Sequence, residues 1–199
     1  MVRIRDIFQR LYPYAIFRTG KAVYLTFDDG PIPEVTPKVL DILAKYDVKA
    51  TFFMVGENID KHPGVFAQVV KARHSIGNHT YNHLKGWKVG KKEYLENVDR
   101  CAYRIQRTDL FRPPYGKATL RQRRALARKG YRLIYWDILT RDYEASRTPE
   151  AMLQQIQRDT RPGSIINFHD SIKSNERMLE VLPKAIEWLQ EQGYELEKL

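Results

Sequence analysis

Two adjacent carboxylates stand where the chain could carry out chemistry. Asp28 and Asp29 follow the β-branched and aromatic run Ala22–Phe27 and precede Gly30 and Pro31, so they lie where a predicted strand ends in a turn. Neighbouring residues of an extended chain point in opposite directions, and we therefore expect the two carboxylates to have different partners. One is suited to binding a cation and the other to acting as a base. The alternative is a turn in which both carboxylates cap backbone N–H groups.

A pair of histidines offers further metal ligands. His79 and His83 are four residues apart, so one turn of helix would place both imidazoles on the same face, at a spacing suited to a single metal ion. Two imidazoles and one carboxylate leave coordination positions open for water and substrate, as a catalytic site requires. The alternative is an accidental pair on a solvated helix. His62 and His74 have no such neighbour, and we expect ordinary surface or core histidines there.

Other reactive side chains follow the later predicted strands. His169 comes directly after the apolar run Ser164–Phe168, where an imidazole can donate or accept a proton. Arg112 precedes two prolines that would hold its charge rigidly and let it orient a carboxylate, the alternative being a surface ion pair. Asp137 and Asp142 lie at the end of the fifth run. Because the carboxyl ends of parallel strands meet at one face, we expect these side chains to form one site.

Strand-like and helix-like segments alternate along the chain, which is the pattern of βα units around a parallel sheet. The predicted strands are Ala22–Phe27, Ala50–Val55, His74–Gly77, Leu110–Arg112, Arg132–Leu139, Ser164–Phe168 and Tyr194–Leu199. The predicted helices are Thr36–Tyr46, Val65–Ala72, Lys92–Gln106, Leu120–Lys129, Pro149–Arg158 and Leu179–Gln192. Thr148 and Pro149 form a helix start, and Gly130 and Gly193 stand where helices end. No repeat or linker divides the sequence, so we predict a single α/β domain.

The composition is that of a globular domain. The chain has 199 residues, 43% hydrophobic and 29% charged, which suits one core and excludes disordered and collagen-like classes. A formal charge of +10 favours anionic partners, namely nucleic acid, an acidic membrane surface or an anionic glycan. The single cysteine, Cys101, cannot form an intramolecular disulfide and fits the apolar pattern of a helix, so we expect a buried thiol.

Residues 1–19 precede the first predicted strand and combine basic with apolar side chains. Asp6, Gln9 and Arg10 interrupt any continuous apolar region, so we find no signal peptide, and no run approaches the ~20 apolar residues that cross a bilayer. By default this predicts a cytoplasmic protein, with envelope association as the alternative. The apolar residues have helical spacing, so the segment either packs on its own domain, which we favour, or lies on a membrane surface.

Taken in order, five motifs resemble those of the polysaccharide deacetylases, the carbohydrate esterase family 4 enzymes built on the NodB homology domain. The motifs are Thr26-Phe27-Asp28-Asp29-Gly30-Pro31, His79 with His83, Arg112-Pro113-Pro114-Tyr115-Gly116, Trp136-Asp137 through Asp142-Tyr143, and Phe168-His169-Asp170. The resemblance covers about residues 20–199 and implies a distorted (β/α)7-type barrel with parallel strands. It also implies one divalent metal ion, usually Zn²⁺ with Co²⁺, Ni²⁺ or Mn²⁺ as alternatives. The implied reaction is hydrolytic removal of acetyl groups from N-acetylated sugars, or of O-acetyl esters in some members.

Carried over motif by motif, the resemblance gives each site residue a role. It makes Asp28 the general base, supported by Arg112, and His169 the general acid. The implied metal ligands are Asp29, His79 and His83. Bound zinc can lower the pKa of its water to about 7, so a base as modest as Asp28 would suffice at neutral pH. The oxyanion would be stabilised by the metal and a backbone N–H, for which we expect that of Tyr115. The residues expected to contact substrate are Pro113, Tyr115, Trp136, Asp142, Tyr143 and Asn167.

Two positions depart from the family pattern. The fourth motif usually reads Asp-x-x-Asp-Trp, and its first aspartate pairs with the catalytic histidine, but Leu139 stands at that position. Asp137 lies two positions earlier, on the same side of an extended strand, so we predict that it pairs with His169 instead. The fifth motif usually has a leucine two residues before the histidine, lining the acetate-methyl pocket. This chain has Asn167 there, which predicts a different pocket.

The function predicted is therefore that of a monomeric, metal-dependent deacetylase acting on an acetylated oligo- or polysaccharide such as peptidoglycan or chitooligosaccharide. A catalytically silent glycan- or polyanion-binding module on the same fold is the alternative, although such a module would normally have lost a ligand or the base. A nucleic-acid binder is suggested by a basic cluster on one predicted helix, Arg121, Arg123, Arg124, Arg128 and Lys129. With Leu120, Ala125 and Leu126 facing inward, a solvated helix face explains this cluster better, and we expect no nucleic-acid partner.

Overall fold

A curled parallel sheet forms the centre of the protein, in a computed structural model that describes residues 12–106 and 108–199. Its strands are β1 (Ala15–Ile16), β2 (Val23–Asp28), β3 (Thr51–Met54), β4 (Ser75–Asn78), β5 (Leu110–Phe111), β6 (Arg132–Ile134), β7 (Ile138–Leu139), β8 (Ile165–His169) and β9 (Leu196–Glu197). They are hydrogen-bonded in the order β1-β6-β5-β4-β3-β2-β8-β7, and β9 pairs with β2. Every pairing between these strands is parallel. The predicted distorted (β/α)7-type barrel of parallel strands is confirmed.

Helices connect the strands and pack against the sheet. They are α1 (Thr36–Lys45), α2 (Gly56–Lys61), α3 (Pro63–Lys71), α4 (Lys91–Ile105), α5 (Leu120–Arg128), α6 (Pro149–Asp159) and α7 (Asn175–Glu191). Each predicted helix is present, but α2 was missed because six residues are too few to show a helical period. The predicted signals are confirmed: the Thr148 hydroxyl accepts the Ala151 N–H at 3.2 Å, and Gly130 and Gly193 have φ of +89° and +75°.

The apolar core holds the central strand, β2, in place. All six residues of β2 are buried, so it is covered on both faces, as expected for a parallel strand. The ring of Phe27 stacks between those of Phe52 and Phe168, at centroid distances of 5.0 and 5.7 Å. Burying a side chain of this size stabilises the fold by about 1.5–3 kcal/mol. Asp28, the last residue of β2, is therefore anchored by a fully buried strand.

The strand predicted over Arg132–Leu139 is divided in the structure. β6 pairs with β1 and β5 near one end of the sheet order, whereas β7 pairs with β8 at the other end. The link 135–137 joins them: the Tyr135 N–H donates to the Ile16 carbonyl at 2.7 Å and the Asp137 N–H to the Ile165 carbonyl at 3.2 Å. The prediction of one continuous strand is wrong because this segment changes partners where it bridges the two ends of the sheet.

The N-terminal boundary also differs from the prediction. β1 pairs with β6, so the sheet begins within the segment 1–19 that was assigned to an extension. The amphipathic helix predicted for that segment, with packing on the domain favoured and a membrane surface as the alternative, falls mainly on residues 1–11, which lie outside the described residues. Within the part of the chain that is described, no helix combines the length and the apolar character needed to cross a bilayer.

The burial of individual side chains tests two further predictions, a buried Cys101 and a solvated basic face on α5. Cys101 is fully buried, as predicted, and burial raises the pKa of its thiol to about 12. The basic face of α5 is solvated at Arg124, and Lys129, directly after α5, pairs with Asp99 at 2.6 Å. Arg123 is instead buried, with its guanidinium 4.8 Å from the ring of Tyr12. The solvated-face interpretation therefore holds for most of this cluster but is wrong for Arg123, and it is also wrong in placing Leu120, which is 53% exposed, inward.

Candidate active site

The carboxyl ends of the central strands open into one cleft of about 680 Å³. Its lining residues are Asp28, Asp29, His79, His83, Lys85, Trp87, Tyr115, Lys117, Trp136, Leu139, Tyr143, His169, Ser171, Ile172 and Lys173. The predicted base, metal ligands and acid are all among them. The strand exits that carry these residues therefore surround a single cleft, from which Asp137 is absent.

Asp28 forms the floor of the cleft and is paired with Arg112. The Arg112 Nη1 donates to Asp28 Oδ1 at 2.8 Å, and both side chains are almost completely buried. Burial alone would raise the pKa of Asp28, but the positive charge of Arg112, helped by His79 and His169, outweighs it and lowers the pKa. Asp28 is therefore ionised at neutral pH, the state that a general base requires.

Arg112 is itself fixed by the surrounding strands. Its Nε and Nη2 donate to the carbonyls of Ile134 and Tyr135 at 3.3 and 3.0 Å, and its guanidinium lies 4.1 Å from the centroid of the Phe53 ring. The surface ion pair considered as an alternative is excluded, because Arg112 is 0% exposed. A fixed planar guanidinium of this kind can hold the Asp28 carboxylate in a single orientation.

Asn167 supports the base and does not line a substrate pocket. Its Nδ2 donates to Asp28 Oδ2 at 3.1 Å, and its Oδ1 accepts from Arg112 Nη1 at 2.6 Å. The residue is fully buried beneath the cleft, so its predicted contact with substrate is wrong. The cause is its neighbour in the sheet, since Asn167 lies in register with Thr26 of β2 and so beside the Asp28–Arg112 pair.

Asp29 turns away from Asp28, as the divided roles required. Its φ of +84° marks a sharp change of direction directly after β2. Asp170, for which we predicted no role, holds this turn: its carboxylate accepts from the Gly30 N–H at 3.0 Å and from the Thr36 hydroxyl at 2.6 Å. Burial raises the pKa of Asp170 to about 8. A Cβ at Gly30 would lie 2.1 Å from Asp170 Oδ2, which explains the glycine in this motif.

The two histidines converge on Asp29 from a loop. Predicting one helical turn for residues 79–83 was wrong: the segment is irregular, and Thr80 and His83 have positive φ values of +67° and +54°. The two imidazoles nevertheless lie close together, at a spacing suited to one metal ion, as the helical turn was expected to place them. His83 Nε2 lies 3.3 Å and His79 Nε2 3.7 Å from Asp29 Oδ1. These ligand atoms all fall within 4.8 Å of one another.

The three side chains fit a divalent metal ion. Asp29 Oδ1 is buried yet has no hydrogen-bond partner. A buried carboxylate oxygen without a partner destabilises the fold unless it binds a cation. His79 Nδ1–H donates to the Arg112 carbonyl at 2.8 Å, so its Nε2 is the atom free to bind a metal. Burial, with His79 nearby, lowers the pKa of His83 to about 4, so its imidazole is neutral. Two ligands of one zinc ion, at bond lengths of about 2.0–2.2 Å, lie roughly 3–4 Å apart, which agrees with the spacing observed.

His169 is paired with Asp142, and not with Asp137 as predicted. Asp142 Oδ1 accepts from the His169 ring Nδ1 at 2.8 Å, and its Oδ2 from the His169 backbone N–H at 2.7 Å. Asp137 instead binds the Ser164 hydroxyl at 2.9 Å and the Ile165 N–H at 2.8 Å, at the opposite end of β8. The alternation argument failed because it ignored the register between β7 and β8: Ile138 pairs with Ile166, so Asp137 lies beside Ile165, four residues before His169. Asp142, predicted to contact substrate, is fully buried behind His169.

The pair with Asp142 prepares His169 to donate a proton. Burial alone would lower the pKa of His169, but the hydrogen bond and the charge of Asp142, with Asp29 and Asp28, raise it to about 9. The ring is therefore protonated at neutral pH and loses its proton as the pH rises through that value. Tyr143 packs edge-on against the imidazole, with centroids 4.9 Å apart, and leaves it 14% exposed to the cleft.

Replacing Asp142 is expected to shift the pH dependence of activity. Asp142→Asn removes the negative charge that raises the pKa of His169 and leaves the burial that lowers it. The alkaline limb of the pH profile of kcat/KM should then move to lower pH by about 1–3 units, and the rate at pH 7 should fall roughly 10²-fold. The measurement is acetate release between pH 5 and 10.

Asp137 provides the matched control. Asp137→Asn removes the same charge from a carboxylate that does not touch His169, so its alkaline limb should coincide with that of the unmodified protein. If Asp137→Asn shifted the limb and Asp142→Asn did not, the assignment of the imidazole partner would be wrong.

The remaining predicted substrate contacts divide into two groups. Tyr115, Trp136 and Tyr143 line the cleft, as expected, with Tyr115 half-exposed and its ring 4.6 Å from that of His83. Pro113 is buried and does not line the cleft, so its predicted contact with substrate is not supported. Its rigid ring instead continues the chain from Arg112 into the turn that presents Tyr115.

Comparison with known proteins identifies the family to which this arrangement belongs. A sequence model described as polysaccharide deacetylase matches residues 17–134. The chain belongs to the polysaccharide deacetylase family. Two peptidoglycan N-acetylglucosamine deacetylases of Bacillus cereus are 33% and 34% identical to it; the alignments cover 86% and 87% of the chain but 64% and 84% of the relatives. A chitooligosaccharide deacetylase of Azorhizobium caulinodans is 32% identical over 92% of the chain and 95% of the relative.

Solved polysaccharide deacetylase structures share the whole fold. A peptidoglycan N-acetylglucosamine deacetylase in complex with a naphthalenyl-N-oxidanyl-benzamide superposes with a TM-score of 0.90 at 30% identity, covering 96% of this chain and 93% of that one. A carbohydrate esterase family 4 pseudoenzyme of Bacillus anthracis superposes with a TM-score of 0.86 at 28% identity, covering 100% of this chain and 70% of that one. The fold is thus found both in named deacetylases and in a named pseudoenzyme.

Several residues of this polysaccharide deacetylase cleft were not found from the sequence. Leu139 lines the cleft at the position of the missing motif aspartate, and Lys85, Trp87, Lys117 and Lys173 form its outer part. Their signal was proximity: Lys85 and Trp87 closely follow the predicted ligand His83, and Lys117 closely follows Tyr115. His62 and His74 lie outside the cleft, as predicted. The ring of His74 accepts the Ala50 N–H at 3.1 Å, so it is a core histidine with a structural bond.

Proposed function

We propose that the chain hydrolyses N-acetyl groups on an acetylated glycan. The observation that supports this best is the joint presence, in one cleft, of an ionised buried carboxylate, three side chains suited to binding one metal ion, and a protonated imidazole. Each of these alone is common in proteins, but amide hydrolysis needs a base, a polarising charge and an acid at the same place. Family membership and the named deacetylases among its relatives agree with this activity.

The three proposed metal ligands and the base would together activate a water molecule for attack on the acetyl group. Asp29, His79 and His83 would hold one divalent ion, for which the N and O donor set favours zinc. When bound, such an ion supplies Lewis acidity and makes water easier to deprotonate. Asp28 accepts the proton of the attacking water, and Arg112 keeps that carboxylate ionised and oriented.

The acid then completes the reaction. The water oxygen bonds to the acetyl carbon, and the backbone N–H of Tyr115 is proposed to donate to the oxyanion that forms. When the C–N bond breaks, His169 donates its proton to the leaving nitrogen, so the products are acetate and the free amino sugar. Asp142 holds the imidazole at the correct angle and stabilises its charge. Proton donation by a positioned acid typically contributes about 10²–10⁴-fold to the rate.

A catalytically silent glycan-binding module is the second candidate function. It is favoured by one observation, that the fold is shared with a named pseudoenzyme. Against it stand the base, the three proposed ligands and the acid, all of which line the same cleft. A binding module has no use for a protonated imidazole beside a buried carboxylate, so we favour the enzyme.

Acetate release from a panel of substrates tests the proposal. The panel is N-acetylchitooligosaccharides, peptidoglycan fragments and acetylated xylan, each assayed with and without a chelator and after zinc is restored. We expect release from at least one N-acetylated glycan, loss of more than about 90% of it with the chelator, and recovery with zinc. Acetate release that is unchanged by the chelator would exclude a catalytic role for the metal. Glycan binding without acetate release from any substrate would favour the silent module.

A further inference from the structure

The outer part of the catalytic cleft carries three positive charges that have no carboxylate partner. Lys85, Lys117 and Lys173 all line the cleft, and none of them is within ion-pair distance of an acidic group among the described residues. The acidic residues of the lining are Asp28 and Asp29, which face Arg112 and the two histidines. The entrance is therefore positive and has nothing of its own to neutralise it.

Two of the lysines are placed over aromatic rings. The Lys85 Nζ lies 5.2 Å from the centroid of Tyr115, and the Lys117 Nζ lies 5.4 Å from the centroid of Trp87. The two rings meet edge to face at 5.4 Å, and Tyr115 contacts the ligand His83. Contact with a ring face attracts an ammonium group and restrains a side chain that would otherwise sample solvent freely. Lys85, Tyr115, Trp87 and Lys117 thus form one wall of the cleft, which begins beside His83 and carries both charges.

The same wall offers apolar surface suited to a sugar. Trp87 is 43% and Tyr115 49% exposed, and the two rings contact each other in the cleft, so they form one continuous aromatic surface. Exposed aromatic rings in a cleft with a few placed polar groups are typical of a ligand site. A glycan that crosses this wall would meet rings and ammonium groups together.

We propose that this wall is a subsite for a carboxylate carried by the sugar next to the one that is deacetylated. The proposal rests on the proposed function and makes it more specific, because it predicts a preference for carboxylated N-acetyl glycans over neutral ones. Lys85 and Lys117 bind the carboxylate, and Lys173, which follows β8, adds its charge to the entrance. A neutral chitooligosaccharide has no group that could use these charges.

The decisive comparison uses two substrates that differ only at their carboxylate groups. One is a tetrasaccharide of alternating N-acetylglucosamine and N-acetylmuramic acid, and the other is the same tetrasaccharide with its carboxylates reduced to alcohols. We expect kcat/KM for the carboxylated form to be about 5- to 10-fold higher in 50 mM salt, mainly through KM, and the difference to shrink in 500 mM salt.

Removal of the two wall lysines should abolish that preference. In Lys85→Gln with Lys117→Gln, kcat/KM for the carboxylated substrate should fall about 5- to 10-fold and that for the reduced one about twofold at most. Lys71→Gln is the control, since Lys71 ends α3 just before β4 begins and so lies at the amino edge of the sheet, away from the cleft. It removes the same charge and should leave the preference unchanged.

Binding of the carboxylated tetrasaccharide, measured by calorimetry, separates the two proposals. Equal kcat/KM for both substrates, or an unchanged preference in the double variant, would overturn the subsite while acetate release still supported the deacetylase. If neither tetrasaccharide nor any glycan of the panel released acetate, the proposed function would fail. The subsite would then be supported if the double variant bound the carboxylated form at least about 5-fold more weakly, and overturned if it did not.

Discussion

Asp28→Asn is expected to lower kcat by about 10³–10⁴-fold while the protein still binds its metal. The amide has nearly the shape of the carboxylate but cannot accept a proton, and Asp28 is not among the residues that contact the proposed metal position. Acetate release gives kcat, and zinc titration by calorimetry gives the metal affinity. A variant that kept more than about a tenth of the activity would exclude Asp28 as the base.

The same substitution should also destabilise the fold. Arg112 is 0% exposed, so Asp28→Asn leaves a buried guanidinium with no anionic partner, at a cost of about 3–5 kcal/mol in the free energy of unfolding. Urea denaturation measures this loss. Combining Asp28→Asn with Arg112→Met removes the unpaired charge and should recover part of the stability but none of the activity. That result separates the catalytic role of the carboxylate from its structural role.

The second large effect is expected from His83→Ala. His83 is the more exposed of the two histidine ligands, with 30% of its side chain accessible, so its removal should cost little stability. Without its Nε2, the site retains one imidazole and one carboxylate, and we expect zinc affinity to fall by more than about 10²-fold and acetate release by roughly 10³-fold. Calorimetric zinc titration and acetate release at saturating zinc check the two effects separately.

His62→Ala is the matched control for the metal ligand. His62 lies between α2 and α3, outside the cleft, and its loss should change neither zinc affinity nor activity. Full activity and unchanged zinc binding in His83→Ala would contradict the proposed ligand set. A large loss in both variants would point to a general effect of removing histidines.

The types of residue at the site could be predicted from the sequence, but their local geometry could not. The strand exits were found because alternating strand and helix segments fix which ends of the strands share a face. The four-residue spacing of His79 and His83 suggested a helix. The loop that replaces it depends on positive φ at Thr80 and His83, a conformation that non-glycine residues adopt only when surrounding contacts enforce it.

The partner of His169 shows a second limit. Asp137 was chosen because residues two apart share one side of a strand, but that rule does not say how far along the neighbouring strand a residue lies. β6 ends at Ile134, and the chain then crosses to the other end of the sheet before β7 begins. Nothing in the local sequence marks that exchange or the register that follows it, which places Asp137 beside Ile165, four residues before His169. Asp142 reaches His169 only through this three-dimensional arrangement.

The bonds of Arg112 have an evolutionary consequence. Its guanidinium joins side chains of β2 and β8 to the carbonyls of Ile134 and Tyr135, so the residue that orients the base also ties several strands together. A lineage that drifts away from catalysis would lose stability if it altered this pair first. His83 and Asp29 are partly exposed, so replacing either of them would reduce the stability of the fold less. We therefore expect inactive descendants of such a chain to keep the buried arginine long after they have discarded the metal.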